Sequence, residues 1–272
     1  NFFNLGGSSL SALELSSEMH QKGFDLPLAD IFLHQKLNEM SKAYRPLELF
    51  DKGNSDMLSH LSGTSGDIIV IFHPLDGSLG WYKPLIDILS NHFQIYGFEM
   101  NSMTTKNKIT HLIDLALLYK KEIGIKLSQK KIHLLGWSFG AVTAYLISQL
   151  MFPEDILSTT LIELLPGTIN NNIERHINTF DINRFITRSH YIDFNLNLLR
   201  SSHSIDVNND LEINLIYADE TVKKYKDILT MEANLISQSM LVLPGNHYSL
   251  MSNATIDKIS SVVLEKIISN DE

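Results

Sequence analysis

From residue 67 onward, short apolar runs alternate with longer stretches whose apolar residues recur every three or four positions. The runs "DIIVIFHP", "FQIYGFEM", "KIHLLGW", "STTLIEL", "EINLIYA" and "SMLVLPG" read as strands. Between or after them, "WYKPLIDILSN", "THLIDLALLYKKEIG", "FGAVTAYLISQLM", "TVKKYKDIL" and "ATIDKISSVVLEKIIS" read as helices. Strands this uniformly apolar are covered on both faces, and helices interposed between them supply the cover. The pattern therefore predicts an α/β fold with a parallel sheet. The order breaks once, over residues 167 to about 210, where Asn and Ser are frequent but helical stretches such as "IERHINTFDINRFITR" persist. An excursion of that length inside a compact α/β unit reads as a lid.

Residues 1–44 have a different rhythm. "SLSALELSSEMHQKG" predicts a helix with Leu10, Leu13 and Met19 inward and Gly23 as its stop, and "LADIFLHQKLNEMSKAY" predicts a second amphipathic run. This is too little chain to bury a core alone. Pro, Gly, Ser and Asp then crowd "RPLELFDKGNSDMLSHLSGTSGD", so residues 45–66 are expected to form a linker and residues 67–272 the α/β domain.

Composition narrows the function classes. The formal charge of −9, from 31 acidic against 22 basic residues, leaves no basic footprint for nucleic acid. Cysteine is absent, which removes disulfide and thiolate chemistry, and the first residues do not resemble a secretory leader; a cytoplasmic location is the expectation. The longest apolar runs are too short to span a bilayer, so no membrane partner is expected. The start lacks Met and falls inside a motif, which suggests a cut from a longer polypeptide.

"GWSFG", residues 136–140, lies between the strand "KIHLL" and the helix "AVTAYLISQLM". A serine on such a sharp strand-to-helix turn projects its hydroxyl above the sheet, which makes Ser138 the candidate nucleophile. A serine hydroxyl needs an adjacent base at neutral pH. His247, in "PGNHYSLM" after the last strand, stands where this fold carries one. The expected third member is a carboxylate between them in the chain, and two qualify: Glu163 after "STTLI", or Asp219 after "EINLIYA". A developing oxyanion needs donors, and the backbone N–H groups of Phe139 and of Leu75, in "HPLDGSLG", are the candidates. This chemistry calls for no metal.

Two family resemblances meet in the chain. "FFNLGGSSL" resembles the carrier-protein motif of nonribosomal peptide synthetases, with Ser8 where that family usually has His or Asp. The resemblance implies that Ser9 carries a covalent 4'-phosphopantetheine arm, attached by a phosphopantetheinyl transferase, and that the carrier's first helix lies upstream. "IFHPLDGSLGWYKPL", "LLGWSFGAVTAYLI" and "PGNHYSLM" resemble the oxyanion loop, elbow and base motifs of the type I thioesterases that end such synthetases. That family normally has Asp after the strand that follows the elbow helix, where this chain has Glu163. Together the resemblances imply an α/β-hydrolase thioesterase preceded by a partial carrier domain. Such a protein releases a carrier-bound acyl or peptidyl thioester, delivered from upstream modules, by hydrolysis or macrocyclisation. The alternatives are an editing hydrolase of misloaded carriers and a non-catalytic docking module.

Overall fold

The structure is a computed structural model that describes residues 1–7, 11–12, 15, 18–19, 24–26, 28–43, 45–46, 57–100, 109–169, 190–201, 211–236 and 240–268. Its centre is a seven-stranded sheet of β3 (Leu58–Ser62), β4 (Ile68–Phe72), β5 (Gln94–Phe98), β6 (Ile132–Trp137), β7 (Ile156–Ile162), β8 (Ile213–Ala218) and β9 (Met240–Leu243), in the order β3-β5-β4-β6-β7-β8-β9. Strands β4 to β9 pair in parallel, whereas β3 pairs antiparallel with β5 at the edge.

That edge strand corrects the expected domain limits. Residues 58–62 were expected within the linker, yet "LSHLS" pairs with β5 from Leu58↔Phe98 to Ser62↔Ile95, with Leu58 buried and His60 and Leu61 exposed. A half-buried edge strand needs only one apolar face, so its turn-rich composition hides it. The sheet domain therefore begins before residue 67, and residues 47–56 of the expected linker lie outside the described residues.

Helices cover both faces. α4 (Leu112–Lys126) and α5 (Phe139–Leu150) pack on one, around Phe72, Tyr119, Leu134 and Leu161; α3 (Lys83–Leu89) and α8 (Asn253–Ile268) pack on the other, around Ile71, Tyr82, Leu135 and Ile216. Central strands β4, β6 and β8 are buried throughout, as their unbroken apolar runs require. In the insert, α6 (His190–Arg200) is helical, while "IERHINTFDINRFITR" lies outside the described residues. α7 (Asp219–Leu235) follows β8.

In the N-terminal segment, residues 11–12, 15 and 18–19 are helical. The second amphipathic run is two helices, α1 (Leu28–Leu33) and α2 (Leu37–Ala43), rather than one. Strands β1 (Phe24–Asp25) and β2 (Arg45–Pro46) pair antiparallel. Leu10 and Leu13 lie outside the described residues; Ala12, Leu26, Ile31 and Met40 form a small buried cluster, with Met19 half-buried against it. Phe32 packs against both this cluster and the sheet domain's core.

Candidate active site

Ser138, Glu163, Asp219 and His247 each follow the carboxyl end of a parallel strand, the edge at which open α/β sheets bind ligands. Ser138 lies between β6 and α5 with φ +59° and ψ −123°, a conformation that costs a non-glycine residue about 1–3 kcal/mol. Packing enforces it. A Cβ on Gly136 would collide with the Gly140 carbonyl, and one on Gly140 with the Phe72 carbonyl, so both glycines are required for α5 to start this close to β6 and β4. The Ser138 N–H donates to the Ile162 carbonyl at 3.0 Å, which ties the elbow to the end of β7.

His247 Nε2 lies 3.0 Å from Ser138 Oγ, and His247 Nδ1 lies 3.0 Å from Glu163 Oε2. A carboxylate only accepts, so the proton sits on Nδ1 and the bare Nε2 accepts from the serine hydroxyl. Glu163 is 1% exposed and has φ +52°. It also accepts from the Ala218 N–H at 2.5 Å and from the Thr221 hydroxyl at 2.7 Å, so the buried carboxylate is held by three donors on separate elements. Of the two carboxylates open from the sequence, it is Glu163 that meets the imidazole.

Asp219 points to the backbone of the His247 loop instead. Its carboxylate accepts from the Gly245 N–H at 2.9 Å and from the Lys223 ammonium at 2.6 Å, and the Glu220 N–H donates to the Gly245 carbonyl. The Lys223 bond and then the Gly245 N–H hold the Asp219 carboxyl below the usual carboxylate range. Gly245 itself has φ +124°, a conformation that favours glycine. The Trp137 indole N–H donates to the His247 carbonyl at 3.1 Å, with its ring 5.0 Å from the imidazole.

Phe139 opens α5, and Leu75 lies just beyond β4. Among the described residues, no intramolecular acceptor meets either N–H. The loop around Leu75 is fixed by residues that sequence reasoning missed. His73 Nδ1 donates to the Pro74 carbonyl, leaving Nε2 to accept from the Tyr119 hydroxyl, both at 2.9 Å, and burial lowers its pKa to about 4, so this ring is neutral. Asp76 accepts from the Trp81 indole N–H at 2.9 Å and from the Ser78 N–H at 3.1 Å. Desolvation, aided by the charge of Glu99, raises its pKa to about 6 against those bonds. The fully buried Asn195 of α6 donates its amide to the Leu75 carbonyl at 3.0 Å, joining the insert to this loop. "HPLDGSLGW" carries a sequence signal for His73, Asp76 and Trp81; nothing near Asn195 does, because its partner is 120 residues away.

Ser9 lies outside the described residues. Before it, Gly6 has φ +96°, and Gly7 sits so close to Phe2 that any side chain there would collide with it.

A mostly parallel sheet with a serine elbow, a histidine after its last strand and an insert before β8 defines the α/β-hydrolase class. Residues 1–44 match the family described as "Phosphopantetheine attachment site", whose members carry covalent 4'-phosphopantetheine. A dimodular nonribosomal peptide synthase of Bacillus subtilis (strain 168) is 32% identical over 148 residues, which is 51% of this chain and 6% of the synthase. The chain thus spans a small fraction of that relative's length. Among solved structures, a four-domain nonribosomal peptide synthetase, AB3403, aligns at TM-score 0.61 and 18% identity, covering 97% of this chain and 24% of that one. The thioesterase domain of NocB, from the nocardicin cluster, aligns at TM-score 0.59 and 14% identity over 78% of this chain and 99% of that one. The chain joins a carrier-type segment to a domain with the thioesterase fold.

Proposed function

We propose that this chain releases an acyl or peptidyl group held as a thioester on its carrier segment, with Ser138 as nucleophile, His247 as base and Glu163 as the acid that orients it. The hydrogen-bonded series from Ser138 through His247 to Glu163 carries this reading. Ser9 is the proposed attachment point; a phosphodiester on a serine entering a helix meets free N–H groups and a favourable dipole. When bound, the arm supplies the thiol that holds the acyl group.

In the first half-reaction, His247 Nε2 takes the Ser138 proton as Oγ attacks the thioester carbonyl. The Leu75 and Phe139 N–H groups are the proposed donors to the developing oxyanion. As the C–S bond breaks, His247 returns the proton to the departing sulfur, leaving an acyl-serine and a free thiol. In the second, His247 takes a proton from water, or from an amine or hydroxyl of the acyl chain, whose oxygen or nitrogen then attacks the ester. Collapse returns the proton to Ser138 and yields an acid or a ring. Glu163 stabilises the imidazolium formed in each half.

Loading the arm with an acyl group and following its release tests the reading. Ser138→Ala should keep the fold and leave the acyl group on the arm, and His247→Ala should be comparably inactive because the two act as a unit. Release by Ser138→Ala at near the unsubstituted rate would overturn it. Acyl-Ser138 detected by intact mass would separate catalysis from docking alone, and relative rates on long and short acyl groups would separate product release from editing.

A further inference from the structure

A series of rings runs from the N-terminal segment to the imidazole. Phe32, in α1, lies 5.3 Å from Trp81 and stacks on Tyr248 at 6.2 Å and 6°. Trp81 lies 5.1 Å from Trp137, which is 5.0 Å from His247; Tyr248 follows His247 in sequence, its ring 5.1 Å from the imidazole. Trp81 and Tyr248 therefore form an aromatic platform fastened to both catalytic loops, Trp81 through Asp76 and Tyr248 through its own chain.

The other side of Phe32 faces the start of the chain. Phe3 packs on it at 5.0 Å, the Phe2 N–H donates to the Gln35 carbonyl at 2.6 Å, and the Asn1 amide donates to Gln35 Oε1 at 2.8 Å. Residues 1–7 are thus clamped to the end of α1, and Ser9 follows Gly7 by two residues, at most about 7 Å of chain. One short helix ties the root of the arm to the platform beside the base.

We propose that Phe32 on the Trp81 and Tyr248 platform is the docking contact through which this chain's own N-terminal segment presents its thioester to Ser138. The inference rests on the proposed release activity and names the surface that serves it. The occupant is the segment already seated there. Paired rings exceed the energy of their buried area alone, so losing both pairs costs docking about tenfold.

The experiment compares two substrates in the full chain: an acyl group loaded on its own arm and a small free thioester of the same acyl group. Phe32→Ala should slow release from the arm about tenfold and change turnover of the free thioester by less than about twofold. Phe32→Tyr, which keeps the ring, should restore release from the arm. The chain's only two tryptophans, Trp81 and Trp137, both lie in the ring series, so acrylamide quenching reports its cover without any loading step. Quenching should rise in Phe32→Ala and return in Phe32→Tyr. Unchanged quenching, equal effects on both substrates, or no effect on either would overturn the proposal. If the unsubstituted chain turned over neither thioester, the release reading would fall, while quenching would still decide whether Phe32 covers the platform.

Discussion

Glu163 and Asp219 follow neighbouring parallel strands, and their functions are separated by where their oxygens point. Glu163 reaches the imidazole, whereas Asp219 holds the backbone of the loop that carries it. Replacing a triad carboxylate by an amide costs on the order of ten-thousandfold in a comparable enzyme. Glu163→Gln is therefore expected to lower kcat by at least about a hundredfold, and Asp219→Asn, which keeps an acceptor for Gly245, by less than about tenfold. Side-by-side rates on one thioester check this; the reverse ranking would move the acid to Asp219. Asp76 offers a pH signature. Its folded-state pKa of about 6 lies above the ordinary 3.8, so the folded state holds this proton more tightly than the unfolded chain. Its contribution to stability is most favourable below about pH 4 and is lost as pH rises to about 6. The melting-temperature difference between the unsubstituted protein and Asp76→Asn should change across that window and be flat above it.

At the scale of elements, the elbow depends on two glycines that serve close approach rather than a positive φ. Gly140→Ala would drive its Cβ into backbone at the end of β4, which cannot yield as a side chain can. Overpacking of this kind costs about 1–3 kcal/mol, several degrees of melting temperature in a domain this size. Activity should fall with it, since Ser138 begins the same turn. Gly124 makes the contrast. It lies inside α4 with open space around its would-be Cβ, so Gly124→Ala should stabilise by about 0.5–1 kcal/mol and leave kcat alone. Thermal melts of the two variants test both signs. α6 tethers the loop of Leu75 through Asn195, a contact that no local pattern in the insert announces.

At the scale of the whole molecule, the described residues of the N-terminal segment bury Ala12, Leu26, Ile31 and Met40 together and share Phe32 with the larger domain. Arm attachment tests the segment directly. With a phosphopantetheinyl transferase and coenzyme A, the chain should gain one arm by intact mass; Ser9→Ala should abolish the gain and Ser8→Ala should not. A gain that persists in Ser9→Ala would overturn the attachment point. No helix among the described residues is long and apolar enough to cross a membrane.

The sequence by itself determined the strand and helix order of the sheet domain, because buried parallel strands must be continuously apolar and their covering helices must repeat every three to four residues. It also marked Ser138 and His247, since a Gly-flanked serine between strand and helix is a local pattern and a histidine after the final strand is a positional one. It did not reveal β3, whose half-buried edge pattern resembles a linker, nor the break between α1 and α2. It left Glu163 and Asp219 open because side-chain direction after a strand depends on φ and on donors from other elements, here Ala218 and Thr221. His247 meets Glu163 across 84 residues and Ser138 across 109. Only the tertiary fold brings such distant groups within a hydrogen bond, and only it seats Phe32 on Trp81 and Tyr248, because contacts between apolar faces carry no local signature of their partner.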